Sequence, residues 1–332
     1  GFQTMNEFEL IGRFFTRRSQ SAVVGNGDDC AVIAPSAGNA FAVTTDTLVE
    51  GRHFLPTLDP WKLGRRVVHV NLSDLAAMGA QPRYVLLSLT LPRIDETWVS
   101  RFADGLWSAL DEFGVELVGG NTTRGPLAIA ITAFGDVEPR HALLRSGAKT
   151  GDELWVSGPL GDAGWALYCM LGDIKAEASA EQIARYECPT ARVALGLALR
   201  GLATSCIDIS DGLLSEAQHI ASASNVGIDI DLAAIPTGLG DALSSANFAR
   251  QAQHCLLATG DAYELLFTAP SSQHQHIGTV LKSLSLDGAC IGRVTGASAA
   301  SDTHANAKVR VLDAQSRTVN VATWGWDHFA HD

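Results

Sequence analysis

Five short acidic signatures recur along the chain: Gly27-Asp28-Asp29, Thr44-Thr45-Asp46, Asn71-Leu72-Ser73-Asp74, Asp208-Ile209-Ser210-Asp211 and Gly260-Asp261-Ala262-Tyr263-Glu264. Each falls where a strand would end or a turn begin. A carboxylate beside Gly, Ser or Thr at such a point offers oxygen donors to a hard cation. Mg²⁺ prefers that donor set, keeps part of its water and takes remaining ligands from substrate phosphates. The pattern points to phosphate chemistry assisted by metal ions. Taken singly, each signature has a plainer use. Gly27-Asp28-Asp29 fits a simple turn, Asp74 a solvated helix position, Asp208 a strand end and Asp211 a helix cap. Five coincidences in a chain with only 18% charged residues carry the metal reading.

Other motifs narrow the chemistry. Gly158-x-x-Gly161-x-x-Gly164 follows a strand-like run and precedes a helix-like one, but its first spacing is wrong for a dinucleotide fingerprint. It fits tight helix–strand packing, with a phosphate contact as the second use. Gly147-Ala148-Lys149-Thr150 lacks the upstream glycine of a P-loop, and neither HExxH nor GxSxG occurs. Arg145 could serve an ion pair or hold a phosphate through its guanidinium. His53 follows the Asp46 signature. The closing Trp324-Gly325-Trp326-Asp327-His328-Phe329 could pack down a tail or present a ring to a flat cation.

The elements that must position these residues follow from periodicity. Phe8, Ile11, Phe14 and Phe15 predict an opening amphipathic helix. Strands are expected at Cys30–Ala34 and Ala40–Thr45. Asp59-Pro60 starts a helix that runs to about Met78 and places Asn71 and Asp74 on one face. A strand at Arg83–Leu91, a helix at Glu96–Phe113 and strands at Val115–Val118 and Leu127–Val137 follow, with Gly119-Gly120-Asn121-Thr122 as a turn between the last two. The pattern restarts near Ala148–Asp152, with a strand at Glu153–Ser157 and a helix from Trp165. Gly296–Lys308 reads as a surface loop. The order predicts an α/β (α+β) fold of two domains, 5–148 and 149–332, with mixed strands.

The chain has 332 residues, 36 acidic against 24 basic, for a formal net charge of −12. That disfavours nonspecific nucleic-acid and anionic-membrane partners. A polyanionic ligand would need metal ions to approach. The six cysteines are scattered without CxxC spacing, as expected of thiols in a reducing cytoplasm. No apolar run reaches the length of a membrane span, and no secretory leader pattern opens the chain.

Together, the blocks Gly27–Asp29, Thr44–Phe54, Asn71–Ala80, Gly119–Thr122, Asp208–Leu213 and Gly325–Phe329 resemble the thiamine-monophosphate kinases, in that family's order, from about Asn6 to Phe329. These kinases are relatives of aminoimidazole-ribonucleotide synthetase. The resemblance implies a two-domain synthetase-like fold: an N-terminal domain that binds ATP and Mg²⁺ and dimerises through its mixed sheet, and a C-terminal α/β domain that completes the site. It implies ATP and thiamine monophosphate as substrates, several Mg²⁺ ions and a homodimer. It places Asp29, Thr44, Thr45, Asp46, Asp74, Asn121, Asp208 and Asp211 at the metals. Gly120, Asn121, Arg145 and Ser210 would contact ATP, and His53, Asp261 and Trp326 the thiamine phosphate. The chain departs from the family at Asn121, where an Asp is usual, and at Asp261-Ala262, where Glu-Asp is usual. A different acceptor within the same superfamily and a nonenzymatic nucleotide or thiamine sensor are the alternatives.

Overall fold

A computed structural model describes residues 5–297 and 309–321. Trp326 and most of the Gly296–Lys308 stretch lie outside the described residues. The chain divides into two compact units, one of residues up to Leu75 with Ala80–Arg140, the other of Ala76–Gly79 with His141 onward.

The first unit opens with α1 (Glu7–Leu10), capped by Asn6 and continued by a π-helical turn over Ile11–Phe15. Strand β1 (Ala40–Val49), helix α2 (Pro60–Ala77), β2 (Gln81–Leu91), α3 (Glu96–Phe113), β3 (Glu116–Arg124) and β4 (Ala128–Val137) follow. Local chemistry sets both long helices. Asp59 accepts from the Trp61 amide at 2.9 Å ahead of α2, with Pro60 at the first helical position. Asp95 caps α3, and Gly114 closes it in the left-handed region at φ 64°. The sheet order is β1-β4-β2-β3, antiparallel except for the parallel β2–β3 pair.

Strand alternation splits this sheet into two faces. Leu48, Ile129 and Leu89 are paired neighbours and buried, as are Ile131 and Leu87 one row along, opposite Asp46. Leu75 of α2 lies over this face, against Gly135. On the other face Val43, Thr45, Thr47 and Ser88 are exposed.

Two expectations fail here. Cys30–Ala34 forms no strand; a single bridge joins Val24 to Val32, and Pro35 ends the run before it can extend. Gly119–Thr122 is not a turn but the middle of β3. The pairing shifts there, so that Leu117 faces Val85 and Gly119 already faces Leu86. The two glycines serve this bulge. Gly120 has φ 148°, and a Cβ on it would sit 1.8 Å from the Leu87 carbonyl oxygen.

The second unit contains β5 (Glu153–Val156), α4 (Asp162–Leu171), α5 (Ala180–Glu187), α6 (Val193–Ala198), β6 (Ser205–Asp208), α7 (Leu213–Ser224), β7 (Gly227–Asp231), α8 (Gly240–Leu243), α9 (Ala249–Ala258), β8 (Leu265–Ala269), α10 (His274–Ser283), β9 (Ala289–Thr295) and β10 (Val309–Leu312). Its six-stranded mixed sheet runs β10-β7-β9-β5-β8-β6. Strands β5, β6 and β8 are buried at every position, which is why they read as short continuous runs rather than alternating ones. Ile207, Leu213, Leu214, Ile228, Leu266 and Ile291 share one core. The glycine-rich run takes its packing role: added Cβ atoms at Gly158, Gly161 and Gly164 would collide with Glu264, Leu256 and Thr259. Among the described residues, no helix is long and apolar enough to cross a membrane.

Candidate active site

In the first unit, β1 and α2 bring four of the acidic-signature residues together. Alternation sends Thr44 and Asp46 to the α2 side. The Thr44 hydroxyl donates to Asp74 Oδ2 at 2.5 Å. Asn71, fully buried, accepts from the Asp46 amide at 2.9 Å and donates to the Val67 carbonyl at 2.8 Å. Asn71 is thus a clamp between strand and helix, while Asp74 and Asp46 remain half-buried carboxylates. Thr45 points to the other face, where its hydroxyl donates to the Ile131 carbonyl and accepts from Thr132.

Asp29 is exposed in a loop tied to the start of β3 by Asn26, whose side chain donates to the Leu117 carbonyl at 2.8 Å. Asn121 sits on β3, opposite Ser88 and in the row of Ala130 and Thr47. Asp46 and Asn121 therefore occupy opposite edges and opposite faces of one sheet, three strand spacings or about 14 Å apart.

In the second unit, two signatures become neighbours. Asp208 ends β6, and the chain continues through Ser210 and Asp211 into α7. Gly212 takes the cap position of α7 and offers no side-chain cap. The loop of Gly260–Tyr263 runs beside this segment. The Asp261 amide donates to the Ser210 carbonyl at 3.0 Å, the Tyr263 amide to the Ile209 carbonyl at 2.8 Å, and the Ile209 amide to the Glu264 carbonyl at 2.8 Å. The approach is close enough that a Cβ on Gly260 would lie 2.1 Å from the Ser210 carbonyl oxygen. Asp261 and Tyr263 both adopt left-handed backbone conformations, φ 65° and 50°. Each such residue costs roughly 1–3 kcal/mol, and the three cross-loop bonds hold them there. The Tyr263 hydroxyl faces Asp261 Oδ1 at 3.4 Å.

The last acid of that signature has another use. Glu264 is buried and receives two hydrogen bonds from Arg192, at 2.8 and 2.6 Å, and one from Ser157 at 2.5 Å. A carboxylate so fully used anchors β8 and is not presented to a ligand.

Glu216 is a functional candidate that the sequence reading passed over. It lies in the first turn of α7, only 2% exposed, and accepts from the Asp211 amide, while its Oε2 atom has no partner. Burial, then repulsion from Asp211 and Asp208, pushes its carboxyl up to about 9, so it carries a proton at neutral pH. Its one sequence signal is an acid five residues past Asp211, on an otherwise apolar helix face.

Arg145 is exposed, and its carbonyl accepts from the Ser224 hydroxyl at the end of α7, which in turn accepts from the Gly147 and Ala148 amides. Among the described residues, no three His, Cys, Asp or Glu side chains converge as a ready-made metal site. Four of the five acidic signatures instead form two loci, one in each unit, while Asp29 lies in the loop tied to β3.

Comparison with known proteins identifies the family. Residues 27–137 match the AIR synthase related protein N-terminal domain, and residues 149–303 the corresponding C-terminal domain. The chain is 41% identical over 331 residues to the thiamine-monophosphate kinase of Escherichia coli strain K12, covering 98% of each chain. It superimposes on the crystal structure of the Stenotrophomonas maltophilia K279a thiamine-monophosphate kinase with a TM-score of 0.78 at 39% identity, over 88% of this chain and 91% of that one. It also matches AaThiL complexed with AMPPCP and TMP, with a TM-score of 0.70 at 29% identity, over 88% and 89% of the two chains. The chain belongs to the thiamine-monophosphate kinases of the AIR-synthase-related superfamily, enzymes that phosphorylate thiamine monophosphate at the expense of ATP.

Proposed function

We propose that the γ-phosphoryl group passes directly, in line, from ATP to the phosphate of thiamine monophosphate, giving thiamine diphosphate with no phospho-enzyme. The acceptor is a phosphate monoester with a second pKa of ~6, so its oxygen is already ionised at neutral pH and needs no strong base. The task left to the protein is to hold two anions in register.

Mg²⁺ ions suit the chemistry of these donors: Asp29, Thr44, Asp46, Asp74, Asp208 and Asp211 offer only oxygen, and Asn121 adds an amide oxygen. Thr45 would contribute its carbonyl, since its hydroxyl is committed. Bound there, Mg²⁺ would offset the charge of the facing phosphates. Gly120, Asn121, Arg145 and Ser210 meet ATP in this reading, and His53, Asp261 and Trp326 meet thiamine monophosphate. The observation that carries it is the backbone bonding of the Ser210 loop to the Asp261 loop, which couples a nucleotide contact to an acceptor contact.

In the same reading the first domain, to residue 148, binds ATP and Mg²⁺ and pairs two chains, and the second completes the site. The exposed sheet face around Val43 and the open edges β1 and β3 support a homodimer built on this sheet. The described cysteines are all free thiols, which supports a cytoplasmic location. Transfer from ATP carrying a chiral γ-phosphate tests the mechanism: inversion is expected, and net retention would require a phospho-enzyme.

A further inference from the structure

We propose that the cavity between α5 and the start of β8 binds a small oxyanion of the inorganic-phosphate type, held by Arg185. The cavity lies wholly in the second unit and uses none of the residues assigned above to ATP, thiamine monophosphate or the metals.

The capping box of Ser179 and Gln182 fixes the start of α5, and buried Tyr186 anchors its body. Arg185, half-buried on that helix, is thereby held at the cavity wall. The space measures about 50 Å³, and Asp162, Thr190, Arg192, Ala262 and Glu264 share its lining. That is room for a few waters or one tetrahedral oxyanion. A nucleotide needs several hundred Å³.

The two arginines differ in how far they are committed. Arg192 Nε and Nη2 bind both oxygens of Glu264, at 2.8 and 2.6 Å. Arg185 Nη1 stands 4.0 Å from Glu264 Oε1, too far for a hydrogen bond. Its Nη2 bonds Glu181 at 3.1 Å one helical turn back, where Glu181 is 78% exposed. Water screens such a pair, which contributes little. Glu264 therefore cancels one guanidinium and leaves the other.

The rest of the lining does not supply the missing charge. Ala262 has only a methyl group. Asp162 is 3% exposed, its Oδ2 accepts from the Gly238 amide at 3.1 Å, and burial pushes its carboxyl up from the ordinary range. Its opposition to an anion is reduced accordingly. A guanidinium with an uncommitted edge at a small cavity takes an oxyanion through charge-assisted, in-plane bonds. The exposed Thr190 hydroxyl adds a donor at the rim. Since Ala262 directly follows Asp261, an oxyanion bound here would brace the loop that carries Asp261.

Calorimetric titration of the full chain with inorganic phosphate, in chelator and at constant ionic strength, tests the site. One phosphate per chain is expected. Arg185→Gln should weaken binding about tenfold or more, and Arg185→Lys, which keeps the charge without the fork, should recover part of the loss. Ala262→Asp, which adds a carboxylate to the lining, should also weaken binding about tenfold or more. Arg145→Gln, at a nucleotide contact in the reading above, should leave it unchanged, and ADP should not displace the phosphate. Thermal unfolding checks that each variant is folded; should Ala262→Asp fail to fold, the two Arg185 variants still decide. Three results would overturn the proposal: no binding by the wild-type chain, binding that survives Arg185→Gln, or binding that is lost in Arg145→Gln and displaced by ADP. The titration uses neither ATP nor thiamine monophosphate, so its outcome is independent of the phosphoryl transfer proposed above.

Discussion

Replacing Glu216 by Gln should stabilise the metal-free protein, and by more at higher pH. The carboxyl is 2% exposed and titrates at about 9 in the fold against an ordinary 4.5. The sign follows from proton binding. Between pH 4.5 and 9 the unfolded chain has released the proton while the folded chain still holds it. Folding must therefore reprotonate the group, and stability falls as pH rises through that window. The slope is about 1.4 kcal/mol per pH unit. At pH 7, about 2.5 units above the unfolded value, the cost is on the order of 3 kcal/mol. Glu216→Gln keeps an oxygen for the Asp211 amide and removes the titration. Urea unfolding of both proteins, in chelator, at several pH values between 5.5 and 8.5 measures the gap. It should open by several kcal/mol across that range, with the variant more stable at the alkaline end. A gap that stays constant with pH would refute the reasoning, because Glu216 would then ionise alike in the folded and unfolded chains.

Three further perturbations test the acidic site and the scaffold around it. Asp74→Asn should lower turnover about a hundredfold or more while the fold survives, since Asn71 still clamps β1 to α2; near-normal turnover at limiting Mg²⁺ would remove Asp74 from the metal set. Gly120→Ala should cost about 2–4 kcal/mol in urea unfolding, because the new Cβ meets the Leu87 carbonyl and the residue keeps φ 148°. Arg192→Ala should cost up to about 3–5 kcal/mol by leaving buried Glu264 only Ser157 and the more distant Arg185, at 4.0 Å, and adding Glu264→Gln should recover much of that. If the second change recovers nothing, the pair is not what holds β8 in place.

How much of this was legible depends on how far apart the interacting residues lie. Helix α2 was readable because Asp59 and Pro60 act within a turn of the backbone they start, and α3 because Trp98, Phe102, Leu106 and Leu110 repeat at helical spacing along it. Gly119-Gly120 was misread because turn and bulge use the same residues. Only the Leu87 carbonyl, on a strand more than thirty residues earlier in sequence, distinguishes them. The acidic signatures had the same limit. Asp74 and Glu264 are both carboxylates in acidic signatures, yet one accepts from the Thr44 hydroxyl across β1 and α2 and the other from an arginine 72 positions away. Glu216 was invisible because its unusual state comes first from burial that a single acid does not advertise, and then from Asp211 and Asp208 across a helix start.

Strand order is the least local property of all, and it changes what Asn121 means. Asp46 and Asn121 look like parts of one cage when read along the chain, but the order β1-β4-β2-β3 puts them on opposite edges. Two intervening strands separate them, about 14 Å in all. One ion cannot be shared across that gap within a single sheet. A cation held beside Asp46 is therefore out of reach of Asn121 in the same chain. The neutral side chain at Asn121 thus changes the charge at the β3 edge and not the charge beside Asp46.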